Sequence, residues 1–160
     1  MRAILGLFGL LLLVILAVAF FKFLPGGKGI SLFPAFNNKN HTVTINNHTF
    51  SLLIAQTEKD KEIGLSDKKS LPRDQAMLFP FDKPDYYQFW MKHMQFPIDI
   101  VYLRDTKVVT IYSNVQNPTF PTQNLAIYKP DQPADKVLEV NAGTVQKFNL
   151  KKGDSINLNF

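Results

Sequence analysis

A stretch in the middle of the chain decides the fold: IDIVYLRDTKVVTIYS, residues 98–113. Its two halves are rich in β-branched and aromatic residues, which are typical of strands. The polar tripeptide at residues 104–106 separates the halves, and a short polar link between two such runs favours a β-hairpin. The stretch therefore predicts a pair of antiparallel strands.

Similar signals on both sides of this stretch indicate further strands. Residues 42–46 and 49–55 are extended runs around two asparagines and a histidine, and asparagine tolerates the left-handed geometry of a hairpin turn. Thr57, with Asp60 three residues later, predicts a short capped helix, whereas the four prolines of residues 114–135 predict a long ordered loop. Strands are also expected at residues 76–81, 86–91, 137–140 and 156–160. The sequence thus predicts a mainly β fold, a compact sandwich or barrel-like domain with short helical additions.

The N-terminal segment has a different character. Residues 3–21, AILGLFGLLLLVILAVAFF, hold no charge, and a helix of this length crosses a hydrocarbon core of about 30 Å. They predict an uncleaved signal anchor, a transmembrane helix in contact with lipid. The alternative is secretion after cleavage near Ala19, since Ala17-Val18-Ala19 resembles a signal-peptide cleavage site. Arg2 favours a cytoplasmic N-terminus, so we expect a single-pass protein of the cell membrane whose domain lies outside the cytoplasm.

Composition divides the chain into three parts. Residues 1–24 form the signal anchor, residues 25–40 a linker rich in Gly, Pro and Asn, and residues 41–160 the β-rich domain. The whole chain carries a net charge of +5, but the domain holds 14 basic and all 13 acidic residues and is therefore nearly neutral at +1. The positive excess lies beside the membrane segment, where lysine meets lipid head groups. We therefore expect no nucleic-acid partner, and we expect the domain to be monomeric.

The segment FWMKHMQFPIDI, residues 89–100, concentrates side chains suited to binding. In an extended strand Trp90 and Lys92 point the same way, so they could form the wall and the polar contact of a small-ligand pocket. The structural alternative is that Trp90 belongs to the core and that Lys92 extends to water or pairs with an acid.

Two carboxylates are expected on apolar strand faces. Asp99 shares a strand face with Val101 and Leu103, and Glu139, within KVLEVN, lies on the face that carries Val137. A buried charge needs a partner, so both acids join Trp90 and Lys92 as candidate ligand-binding residues. If the fold brings them together, they could act as general acid and base. Otherwise they pair with Lys92 or accept backbone N–H bonds.

The sequence indicates no cofactor and no metal. The chain has no cysteine, which excludes disulfides, thiolate zinc sites and a cysteine nucleophile. The three histidines show neither HxH nor HExxH spacing. The glycine-rich motifs of nucleotide-binding proteins and the GxSxG motif of serine hydrolases are also missing.

The order of several short motifs resembles the domain-of-unknown-function family 192. These motifs are EIGL, AMLFPF, FWMKHMQFPIDIVYL, VLEVNAG and KKGDSINL, which follow one another between about residues 50 and 160. The sequence departs from the family in having Ser66 after Gly64-Leu65, Ala76 before Met77-Leu78-Phe79, and His93-Met94 after Lys92. The resemblance implies a small, mostly β fold that often follows a signal or membrane segment. The family has no established activity, so it supplies no catalytic residues.

These observations favour a membrane-anchored domain outside the cytoplasm that binds a small or polymeric ligand of the cell envelope. Catalysis is the less favoured reading. One alternative is an envelope hydrolase or lyase that uses an Asp/Glu acid–base pair. The other is a non-catalytic scaffold for a second envelope protein.

Overall fold

A computed structural model describes residues 41–119 and 125–160. Within these ranges the chain forms nine strands and two short helices. The strands are β1 (Thr42–Ile45), β2 (His48–Ile54), β3 (Gln75–Asp85), β4 (Phe89–Trp90), β5 (Ile98–Arg104), β6 (Lys107–Val115), β7 (Ile127–Tyr128), β8 (Ala134–Asn141) and β9 (Asn157–Asn159). The helices are α1 (Glu58–Ile63) and α2 (Thr144–Lys147).

Seven of the strands form one sheet in the order β6-β5-β8-β3-β2-β1-β9. Its pairs are antiparallel except β2 with β3, which are parallel because the connection through α1 carries the chain back to the same end of the sheet. The sheet curls until the start of β6 reaches the segment before β9, where the Val108 N–H donates to the Asp154 carbonyl at 2.8 Å. This half-barrel confirms the expected mainly β class with short helices.

Apolar side chains cover both faces of the curled sheet. One cluster joins residues from both ends of the sheet, such as Val43, Val108 and Ile156, so it fills the concave side. The second cluster includes Phe79, Ile100 and neighbouring residues of β3, β5 and β8. The alternation of side chains along each strand assigns every residue to one of these two faces.

The turns and the helix start follow the local sequence. Asn46 and Asn47, with φ of 43° and 68°, make the left-handed turn between β1 and β2. The Thr57 hydroxyl accepts from the Asp60 N–H at 3.1 Å, and Asp60 Oδ2 accepts from the Thr57 N–H at 3.0 Å. This complete capping box confirms the short helix at this point.

Two segments differ from the sequence prediction. Strand β3 continues to Asp85, beyond the expected end at residue 81. Of the strand expected at residues 86–91 only Phe89–Trp90 forms, and it pairs with β7, inside the expected proline-rich loop. The small sheet of β4 and β7 depends on a contact between distant parts of the chain, which local propensity does not encode.

The predicted signal anchor and linker lie outside the described residues. Within residues 41–119 and 125–160, no helix is long and apolar enough to cross a membrane.

Candidate functional site

A pocket of about 280 Å³ opens between α1, the second half of β3 and strand β4. Aromatic and aliphatic side chains form its walls, and charged groups of α1 lie at its mouth. The apolar lining residues are Ile63, Leu65, Phe79, Phe81, Tyr87, Phe89, Trp90 and Met94. The charged lining residues are Glu58, Lys61, Glu62 and Glu139. An apolar concavity with few polar groups is the usual form of a small-molecule site.

The aromatic wall follows from strand geometry. Phe79 and Phe81 are two residues apart on β3 and therefore lie on one face. Phe89 stands edge-on to Phe79, with ring centroids 5.0 Å apart, and Tyr87 stacks on Phe81 at 3.6 Å. Edge-to-face and stacked pairs are favourable arrangements for aromatic rings. These contacts hold the wall in place.

Glu139 reaches the pocket from β8. It lies opposite Met77 on β3 and Ile100 on β5, so its side chain shares the face that carries Phe79. Only 6% of Glu139 is exposed. Its Oε2 atom meets no hydrogen-bond partner among the residues that the structure describes.

Burial raises the pKa of Glu139 from 4.5 to about 8, because an ionised carboxylate loses its hydration in an apolar site. The neutral form therefore predominates at pH 7. Burial, with smaller effects of Tyr112 and Glu139, also raises the pKa of Tyr102. The Tyr102 hydroxyl donates to the Tyr128 carbonyl at 2.8 Å, so it is not a partner of Glu139.

Trp90 lies at the rim of the pocket with 53% of its surface exposed. The alternative that placed Trp90 in the core is therefore wrong. Lys92 lies in a turn rather than in a strand, and its Nζ is 5.8 Å from the centroid of the Trp90 ring. Both residues also line a second depression of about 320 Å³, together with Glu62 and His93. Trp90 and Lys92 therefore lie close together, as expected, but a turn rather than a shared strand face brings them together.

Asp99 lies on the other face of the sheet. It pairs with Val140, whereas its neighbour Ile100 pairs with Glu139, so the two carboxyl groups point to opposite sides. The fully buried Asp99 carboxylate accepts backbone N–H bonds from Asn114 at 2.7 Å, Gly143 at 3.2 Å and Val145 at 2.8 Å. These bonds tie β6 to the start of α2. Of the predicted residues, the structure thus brings Trp90 and Glu139 to one pocket, with Lys92 beside Trp90, and leaves Asp99 outside.

Sequence reasoning missed the contribution of α1. Lys61 Nζ bonds Glu58 Oε1 at 2.9 Å and lies 4.8 Å from the centroid of the Phe81 ring. The capping box predicted the helix, but nothing local indicated that it would lie over β3. The alternation of aromatic residues in Phe79-x-Phe81 and Tyr87-x-Phe89 was an available signal for the wall.

The described residues contain no group of three or more His, Asp or Glu side chains that could hold a metal ion. Glu139 is the most deeply buried charged residue of the pocket lining.

Comparison with known proteins gives the family. The family described as "Uncharacterized ACR, COG1430", the domain-of-unknown-function family 192, matches residues 41–158. The chain belongs to this family. The match spans both Trp90 and Glu139, so the whole pocket lies within the family domain.

Two solved structures share the fold of this family 192 domain. A protein of unknown function from Novosphingobium aromaticivorans DSM 12444 is 26% identical, with a TM-score of 0.65 over 72% of this chain and 83% of that chain. A provisionally assigned transcription regulator from Sinorhizobium meliloti 1021 is 27% identical, with a TM-score of 0.67 over 74% of this chain and 92% of that chain. No curated protein matches the sequence.

Proposed function

We propose that the family 192 domain of this chain is a binding module for a small organic molecule, held in the aromatic pocket over Glu139. One observation carries the proposal: a carboxyl group without a described partner is buried at a pocket whose walls are aromatic. A buried polar group without a hydrogen bond is costly. A ligand that bonds to it recovers that cost, whereas a purely structural role would not require an open pocket.

Exposed Trp90 supports the same proposal. A large aromatic side chain at a pocket rim supplies contact area to a ligand at a small entropic cost, because it has few rotatable bonds. Trp90 also borders the depression that contains Lys92. A longer, polymeric ligand would continue from the pocket across Trp90 into this depression.

The alternative of an Asp/Glu acid–base pair has less support. Asp99 and Glu139 lie on opposite faces of the sheet, and three backbone N–H groups already occupy the Asp99 carboxylate. A general acid and base must both reach the reacting group.

The assignment of the Sinorhizobium meliloti protein as a transcription regulator is not carried over to this chain. The near-neutral domain has an excess of only one basic residue, which is too small to neutralise a series of phosphates.

We further propose that residues 3–21 anchor the domain in the cell membrane, with residues 41–160 outside the cytoplasm. The uncharged apolar segment supports this placement. A C-terminal tag should then be accessible to protease in intact cells, and the chain should stay with membranes after a carbonate wash. Release of a shorter chain that begins near Phe20 would instead show secretion after cleavage.

A fragment screen tests the binding function. Thermal unfolding of the full chain is measured with a panel of small cationic, neutral and anionic compounds, and each stabilising compound is retested on Glu139→Gln and Phe81→Ala. Asp131→Asn, which changes an exposed carboxylate away from the pocket, is the control. We expect the pocket variants to lose the stabilisation and the control to keep it. The proposal would be contradicted if no compound stabilised the chain, or if the stabilising compounds had the same effect on both pocket variants as on the unaltered chain.

A further inference from the structure

The charges around the pocket favour a positive ligand. Glu58 and Lys61 neutralise each other at the mouth, at 2.9 Å. Exposed Glu62 and buried Glu139 are the acidic groups left over among the charged side chains of the lining. A cation is the ligand charge that complements Glu62 and, once it has lost its proton, Glu139.

The chain itself places ammonium groups on the rings of this region. Lys61 Nζ lies 4.8 Å from the centroid of the Phe81 ring while it bonds a carboxylate. Lys92 Nζ lies 5.8 Å from the centroid of the Trp90 ring. Cations are attracted to the negative face of an aromatic ring. One carboxylate with one aromatic face thus already binds an ammonium group at the mouth.

The same two components, a carboxyl group and an aromatic ring, recur deeper in the pocket, where none of the salt bridges or cation–ring contacts of residues 41–119 and 125–160 involves them. Glu139 supplies a buried carboxyl group, and half-buried Phe89 supplies a ring and apolar surface, with buried Phe79 behind it. Resting on the proposed function, we infer that the pocket binds small aryl- or alkylammonium compounds, whose N–H group donates to Glu139 and whose apolar part packs against Phe89. Charge-assisted hydrogen bonds of this kind are stronger than those between neutral groups.

Binding of an ammonium compound to Glu139 should release a proton from its carboxyl group. Because burial raises the pKa of Glu139 to about 8, an ammonium ligand that binds at pH 6 must displace the carboxyl proton. The apparent affinity should then rise about tenfold per pH unit below pH 8 and level off above it, as the ionised fraction of Glu139 grows. A neutral ligand that accepts a hydrogen bond from the protonated carboxyl would show the reverse dependence.

Other titratable groups lie around Glu139. They are Tyr102 from β5, Tyr87 between β3 and β4, and Glu58, Lys61 and Glu62 from α1. Tyrosine, lysine and exposed glutamate do not ordinarily change charge between pH 6 and pH 8. Histidine does, and His93 lies with Trp90 at the neighbouring depression, so His93→Asn is a necessary control.

Isothermal titration calorimetry tests the inference. The full chain, in a detergent without amines, is titrated with 2-phenylethylamine and with its neutral analogue 2-phenylethanol at pH 6 and pH 8. Buffers of different ionisation enthalpy report the protons released. We expect the amine to bind at least tenfold more tightly at pH 8 than at pH 6, with release of about one proton at pH 6. The alcohol should bind more weakly and release none.

Variants separate this inference from the proposed function. Glu139→Gln should weaken amine binding at least tenfold at pH 8 and abolish proton release, whereas His93→Asn should change neither. An alcohol that binds as well as the amine, or amine affinity that falls as pH rises, would overturn the ammonium inference and leave the binding function standing. If Glu139→Gln does not fold, the pH dependence of amine binding by the unaltered chain decides whether the ammonium inference holds. Absence of binding by every compound in the broader fragment panel would overturn the binding function as well.

Discussion

Asp99 and Glu139 are both buried acids, yet their surroundings give them different roles. The Asp99 carboxylate meets three backbone N–H groups, whereas Oε2 of Glu139, at the pocket, has no hydrogen-bond partner among the residues that the structure describes. Backbone N–H groups compensate the lost hydration of a carboxylate. These bonds give Asp99 a structural role, whereas Glu139 is the acid that we propose binds a ligand.

Replacing Asp99 should destabilise the domain. In Asp99→Asn the amide nitrogen faces a backbone N–H in place of an acceptor oxygen, so we expect a loss of about 2–4 kcal/mol in the free energy of unfolding. Urea unfolding followed by circular dichroism measures it. Asp131→Asn, at an exposed ion pair, should cause no measurable loss. Equal stability of Asp99→Asn and the unaltered chain would show that the three N–H bonds contribute little.

Ionisation of Glu139 should lower the free energy of unfolding as the pH rises. The folded-state pKa of about 8 lies above the ordinary value of 4.5, so the unfolded chain ionises first. The free energy of unfolding then falls by roughly 1.4 kcal/mol per pH unit between those values, and the effect saturates above pH 8. Glu139→Gln should remove this slope and be more stable than the unaltered chain at pH 8 but not at pH 4.5. Parallel urea-unfolding profiles for the two proteins across this pH range would contradict the burial argument.

Trp90 and Phe79 line the same pocket but differ in burial. Phe79 is 1% exposed and Trp90 is 53% exposed. Phe79→Ala should cost about 3–5 kcal/mol because it leaves a cavity in the core. Trp90→Ala should cost less than about 1 kcal/mol, while it weakens ligand binding. Urea unfolding compares the two, and a comparable loss for both would place Trp90 in the core after all.

The sequence singled out residues that line the pocket or its neighbouring depression, but it did not predict their geometry. Trp90, Lys92 and Glu139 stood out as an aromatic, a cation and an acid in unusual positions. Alternation along the strands placed Asp99 and Glu139 each on an apolar face, but it could not show that these are different faces. That fact depends on the register of β5 against β8.

Among the elements, helix α1 is predicted by its local sequence and also lines the pocket. Its capping box is encoded within four residues, and the helix itself buries no residue. Its position over β3 comes from the crossover between the parallel strands β2 and β3. Gly64 ends the helix with a φ of 52°, and a Cβ there would lie 3.3 Å from Cζ of Phe79. Only a glycine fits this turn without displacing the pocket wall.

Loss of the cap should loosen α1 without unfolding the sheet. Thr57→Ala removes the hydroxyl that accepts the Asp60 N–H, which costs about 1 kcal/mol of helix stability. Hydrogen exchange should accelerate at the Lys61 and Gly64 amides, which bond to carbonyls within this turn. The amide of Val101 in β5 should be unaffected. Equal acceleration at both places would mean that the helix and the sheet unfold together.

For the whole molecule, the hairpins and the mainly β class were predictable because they depend on nearby residues. The strand order, the parallel β2–β3 pair and the small β4–β7 sheet join segments far apart in sequence. Their pairing is decided by long-range packing, for which a single sequence carries no local signal. The pocket forms where these long-range pairings meet.

The most direct test of the central claim is the nuclear magnetic resonance signal of the Trp90 indole N–H, since the chain has a single tryptophan. Compounds that raise the melting temperature of the full chain are added to ¹⁵N-labelled protein. We expect them to shift the Trp90 indole signal and the amide signal of Glu139, and to leave the amides of α2, on the Asp99 side, unchanged. Stabilising compounds that shift α2 and leave the indole signal of Trp90 in place would contradict the account.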